Sequence, residues 1–161
     1  MLFEESDLPR SSNDEKELLL DWLGYLRGAI LRKVDGLDDA QAHWTPGAKL
    51  LPLIGIVNHL TKVEWRWIDG GFAGALVSRS EQELHPGFDM SLAEAVASYR
   101  ERAVSTDASI RSMQLTATSA PGSWADGRDL RWVVLHLINE TARHAGHADA
   151  TRELLDDTTG E

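Results

Sequence analysis

Residues 130–155, LRWVVLHLINETARHAGHADATRELL, decide the fold that we predict for this chain. The stretch has the length and the apolar spacing of one long helix, in which each residue advances about 100°. An arc of about 60° on that helix contains Val133, Leu137, Glu140, His144, Thr151 and Leu155. Apolar neighbours place this arc toward the core, yet Glu140 and His144 are costly to bury without partners. The sequence therefore predicts a partner that offsets the cost of burying these two side chains, and a metal ion is the simplest candidate.

The composition is that of an ordinary globular domain. The chain has 161 residues, 42% of them hydrophobic and 26% charged, which is enough to bury one core. We therefore expect a single domain over residues 1–161, with flexible ends at 1–11 and 156–161. Sixteen basic and 26 acidic residues give a formal charge of −10. That charge argues against nucleic acids and anionic membranes as partners.

The sequence argues against cysteine-dependent sites, a signal peptide and a membrane span. There are no cysteines, which excludes disulfides, cysteine-based zinc sites and a cysteine nucleophile. The N-terminus has no basic region followed by an apolar run, and no segment approaches 18 uninterrupted apolar residues. We therefore expect neither a signal peptide nor a membrane span, and a cytoplasmic protein.

Three further segments have helical apolar spacing. The first is predicted over residues 12–35, after a capping box at 12–15. The second is predicted to begin at Pro52 and end at the glycine pair 70–71, and the third to follow a capping box at 91–94. Asp129 is expected to cap the fourth helix, at 130–155. Four amphipathic helices without a strand pattern predict an all-α four-helix bundle with long connections.

The polar residues of the fourth helix predict a metal site inside the bundle. Glu140 and His144 are four residues apart and stack on one helix face. His59 lies beside the apolar stripe of the second helix and is the best third ligand. Two histidines and a carboxylate hold catalytic zinc with one open position, and they also suit nickel, iron or manganese. His136 and His147 lie at the edge of the same face, and we expect them and Arg143 to be pocket residues or groups behind the ligands. His147 could also be a fourth ligand.

Other interpretations of the same residues stay open. Glu140 could pair with Arg143 or another base, while His59 and His144 are hydrogen-bonded core histidines. A carboxylate-bridged di-iron site is weaker, because such bundles use Glu-x-x-His motifs and this sequence has none. Two polar groups in register on one helix, together with a histidine beside the apolar stripe of another, favour the metal.

Three motifs resemble one family of metalloenzymes. NETARHAGHAD (139–149) is similar to the last helix of the DinB/YfiT-like metalloenzymes, in the branch that resembles the N-terminal metal-binding domain of mycothiol-dependent maleylpyruvate isomerase. VNHL (57–60) and VEWRW (63–67) resemble the second helix of that family. LLLDWLGYLRGAILRKVDGL (18–37) fits its first helix.

The resemblance implies a fold, a site and an activity. It implies a four-helix bundle in which His59, Glu140 and His144 hold a divalent ion, with zinc as the preferred metal. It also implies a thiol transferase or isomerase that uses mycothiol or a similar small thiol with an electrophile, in a chain that could form a homodimer. Two alternatives remain, a non-catalytic metal-binding or stress-associated bundle and a metal-dependent hydrolase.

Overall fold

The computed structural model describes residues 8–10 and 12–159, except for the side chain of Ala48. The α-helices in this part of the chain are α1 (Glu15–Val34), α2 (Asp39–His43), α3 (Leu53–Trp65), α4 (Leu92–Ser112) and α5 (Leu130–Asp156). The described residues form no β-strand, and their isolated bridges are limited to one antiparallel pair, Thr118 and Asp129. The all-α prediction is confirmed, and α1, α3, α4 and α5 are the four predicted helices.

Helix α1 begins later than predicted. The capping box expected at residues 12–15 is wrong, because Asp14 is the cap and its carboxylate accepts from the backbone N–H groups of Lys16 and Glu17. The Ser12 hydroxyl instead accepts from the N–H of Asp14 at 3.1 Å. Aspartate caps as well as serine, and its negative charge also suits the positive end of the helix dipole.

The starts of α4 and α5 are as predicted. Ser91 and Glu94 form a reciprocal capping box before α4. Asp129 caps α5 by accepting from the N–H of Trp132 at 2.8 Å. These side chains satisfy backbone donors that the first turn of a helix leaves unpaired.

The second predicted helix differs from its prediction at both ends. Pro52 is the N-cap of α3 rather than its first residue, and a π-helical segment, Arg66–Phe72, continues the helix past the glycine pair. A Cβ on Gly70 would lie 2.3 Å from Val77, and one on Gly71 would lie 2.8 Å from Trp124. The glycines therefore permit close packing of two loops instead of ending the helix.

Ion pairs and hydrogen bonds fix the directions of the helices. Arg131 meets Glu15 near the starts of α5 and α1, and Lys33 meets Asp149 near their ends, so these two helices are parallel. Arg111, at the end of α4, pairs with Glu17 at the start of α1. Helices α1 and α4 are therefore antiparallel.

Helix α3 runs antiparallel to α5. The Thr151 hydroxyl near the end of α5 donates to the carbonyl of Leu51, just before α3, and Trp67 after α3 contacts Trp132 at the start of α5. Helices α3 and α4 are consequently parallel neighbours, and the topology is up-down-down-up. A parallel pair needs a connection that runs back along the bundle. Residues 73–91 form this returning connection and pass alongside α3.

Two apolar clusters fill the bundle. One contains Ile30, Val34, Leu53, Ile54, Ile56, Val57, Leu60 and Tyr99, and the other contains Leu20, Leu23, Val63, Ile110, Leu130, Val133 and Leu137. No helix in the described part of the chain has the length and apolarity that crossing a bilayer requires.

A buried ionic cluster lies between the two apolar clusters. Arg27 of α1 donates to Glu64 of α3 and to Asp107 of α4, each at 2.8 Å. All three side chains are at most 2% exposed. The cluster was not predicted, and it joins three helices at one level.

Candidate metal centre

Three of the predicted ligands converge between α3 and α5. His59, Glu140 and His144 each offer one donor atom, and these atoms lie within 4.8 Å of one another. The antiparallel packing of α3 on α5 brings the rings of His59 and His144 to 4.6 Å between centroids. The four-residue spacing on α5 brings His144 Nε2 to 3.7 Å from Glu140 Oε2. This is a group that could hold a metal ion.

A buried carboxylate supports His59 from behind. His59 Nδ1 lies 2.6 Å from Glu83 Oε1, and Glu83 is 3% exposed. Arg66 holds the same carboxylate with both terminal nitrogens of its guanidinium, and its Nη2 lies 2.8 Å from Glu83 Oε1. Sequence reasoning missed Glu83, because it lies in an irregular connection where nothing distinguishes it from the neighbouring Glu81.

Burial keeps both histidines in the form that binds metals. Loss of solvation lowers the pKa of His59, although Glu83 opposes that effect. Burial, reinforced by the neighbouring His59, lowers the pKa of His144 to about 4. Both imidazoles are therefore neutral at pH 7, with a lone pair available for an ion.

His144 also carries an unsatisfied polar atom. His144 Nδ1 is buried and has no hydrogen-bond partner among the described residues. A buried polar atom without a partner costs roughly 1–3 kcal/mol. Independently of that atom, two neutral imidazoles and one carboxylate are a donor set that suits a divalent ion, so the residues present fit a metal.

A pocket of about 590 Å³ opens beside this group. The pocket lining includes all three candidate ligands together with Val63, Arg66, Trp67, Val77, Arg79, Leu84, Trp124 and His136. Its aromatic wall is built around Trp67, whose ring lies 4.4 Å from Trp124 and 4.2 Å from His136 between centroids. The pocket therefore joins an aromatic wall to the polar side chains of the ligand group, and small-molecule sites combine surfaces of these two kinds.

The remaining predicted site residues lie around the group. His136 is on the pocket wall, and its ring stacks on Trp132 with 5.4 Å between centroids. The ring of His147 is parallel to that of His144 at 6.3 Å, and its Nε2 accepts from the N–H of Leu51 at 3.4 Å. It does not belong to the converging group.

Arg143 does not neutralise Glu140 tightly. Its side chain is 76% exposed, and its Nη1 lies 3.9 Å from Glu140 Oε1. Exposed ion pairs of this kind contribute about 0–1 kcal/mol. The alternative that pairs Glu140 with Arg143 alone therefore gives this carboxylate only a weak partner.

Comparison with known proteins identifies the family. The sequence model of the mycothiol-S-transferases matches residues 18–157. The chain belongs to the mycothiol-S-transferase family. The match extends from α1 to the end of α5 and includes His59, Glu140 and His144. The predicted relationship to mycothiol-related DinB-like proteins is confirmed, and this family implies a small-molecule thiol as substrate. No curated protein matches the chain.

Proposed function

We propose that this protein is a divalent-metal-dependent S-transferase that joins mycothiol, or a similar small thiol, to an electrophile. One observation carries the proposal. In a member of the mycothiol-S-transferase family, donor atoms of His59, Glu140 and His144 lie within 4.8 Å of one another and line a pocket of about 590 Å³. The metal-binding side chains and the two reactants would therefore share one pocket.

Zinc is the metal that we propose for this site. Two neutral histidines and one carboxylate suit zinc with an open position, although nickel, iron and manganese accept the same donors. A zinc ion bound there would lower the pKa of a thiol that occupies the open position and so supply a thiolate at neutral pH. Because the chain has no cysteine, the reacting sulfur has to come from the small thiol.

The chain's own residues bind and orient the reactants. His59 and His144 stay neutral, so Glu140 supplies the negative charge of the donor set. The wall formed by Trp67, Trp124 and His136 would offer aromatic surface to the electrophile. In the transfer, sulfur forms a bond to the electrophilic carbon, and the thiol proton leaves to solvent. In a substitution, the leaving group departs with the electrons of its former bond.

The test is thiol-dependent loss of an electrophile. Zinc-loaded protein is mixed with mycothiol and a panel containing a haloarene, an epoxide and an enone. We expect conjugate formation above the uncatalysed rate for wild type and Arg143→Gln, and none for Glu140→Gln. Zinc-loaded protein that accelerates no member of the panel would contradict the transferase. Loss of an electrophile without any thiol would favour the hydrolase instead.

A further inference from the structure

The connection between α3 and α4 contributes one buried acid to the metal centre. Glu83 ends a short 3₁₀-helical turn, Glu81–Glu83, and is 3% exposed although it lies on a surface connection. Two features of α3 dock this segment. Asn58 Nδ2 donates to the backbone carbonyl of Glu83 at 2.9 Å, and Gly55 leaves room for the carbonyl of Leu84.

The Glu83 side chain joins two groups of the pocket. Its Oε1 lies 2.6 Å from His59 Nδ1 and 2.8 Å from Arg66 Nη2, while Arg66 Nη1 contacts the other oxygen. A guanidinium that grips both oxygens fixes the plane of a carboxylate. Arg66 thus holds Glu83 in place, and Glu83 can direct the imidazole of His59.

We propose that Glu83 is a positioning residue for the metal, acting through His59. The proposal rests on the metal site proposed above. Glu83 accepts a hydrogen bond from His59 Nδ1–H, which leaves the Nε2 lone pair for the ion and fixes the orientation of the ring. Carboxylates behind a histidine ligand fix its tautomer and raise its basicity, and their loss typically weakens metal affinity about 10–100-fold.

The first test measures zinc affinity by competition with a chelating dye. We expect zinc binding to weaken about 10–100-fold in Glu83→Ala and by a smaller factor in Glu83→Gln, whose amide is a weaker acceptor. Glu64→Gln is the matched control, because Glu64 is also a buried acid paired with arginine but has no hydrogen bond or ion pair to a histidine among the described residues. The control should keep the wild-type affinity.

The second test needs no variant and no metal. Nitrogen-15 spectra of the metal-free wild type report which ring nitrogen of His59 carries the proton. We expect the Nδ1–H form, and the Nε2–H form would overturn the proposal even if Glu83→Ala fails to fold. A folded Glu83→Ala that binds zinc as tightly as wild type would also overturn it. Wild type that binds no zinc would instead overturn the proposed metal site.

Discussion

Replacing Gly55 with alanine tests how the connection that carries Glu83 rests on α3. Gly55 is one helical turn before His59 and faces the same connection. A Cβ at this position would lie 2.0 Å from the carbonyl oxygen of Leu84, which is a backbone atom and cannot rotate away. Reaching an ordinary contact of 3.4 Å requires the connection to move by about 1.4 Å.

The expected change in the free energy of unfolding combines one stabilising and two destabilising contributions. Alanine gains about 1 kcal/mol of helix propensity over glycine. Overpacking costs typically 1–3 kcal/mol, and the displaced segment endangers the bond from Asn58 to the Glu83 carbonyl, about 1 kcal/mol more. We therefore expect Gly55→Ala to lower the free energy of unfolding by about 1–3 kcal/mol. For a chain of this size the melting temperature falls by roughly 2–4 °C per kcal/mol.

Gly146→Ala is the matched control, because this glycine is exposed in α5 and its Cβ would have nothing within 4 Å. The same chemical change should raise stability there by roughly 0.5–1 kcal/mol. Urea unfolding measures both variants, and zinc affinity is measured alongside. Gly55→Ala should also bind zinc more weakly, since Glu83 moves with Leu84. A Gly55→Ala protein that is as stable as Gly146→Ala would refute the described packing of this connection.

Two further substitutions test the bundle and the limits of the site. Arg27→Met should lower the free energy of unfolding by about 3–5 kcal/mol, because Glu64 and Asp107 keep buried charges without their cation. Urea unfolding measures this loss, and a loss below about 1 kcal/mol, the value of an exposed pair, would contradict the buried cluster. Arg143→Gln should leave zinc affinity unchanged, because that side chain is 76% exposed. A dye competition that finds weaker binding would show that Arg143 supports Glu140 in the site.

Periodicity predicted what lies on regular helices. Glu140 and His144 stood out because they occupy the apolar register of a long helix, and His59 because it lies beside a second stripe. The same signal was present for Arg27, which follows Leu23 by four residues and precedes Ile30 by three. It was overlooked because its two acidic partners lie on other helices, and sequence spacing does not pair residues between helices.

The connections could not be predicted in the same way. Glu83 has no periodic neighbours, and its burial depends on α3 and α4 being parallel, which forces residues 73–91 back along the bundle. The glycine pair at 70–71 was interpreted as a helix end, since glycine commonly ends helices. Close packing against Val77 and Trp124 explains these glycines instead, and this packing exists only in the folded chain.

The most direct measurement of the central claim is the zinc content and zinc affinity of wild type, His144→Ala and His147→Ala. The two histidines are one turn apart on α5 and both half-buried, but only His144 belongs to the converging group. After zinc is supplied and the excess is removed, wild type and His147→Ala should each retain one zinc per chain, and His144→Ala should retain none. Wild type that retains no zinc, or His144→Ala that retains as much as wild type, would contradict the proposed centre.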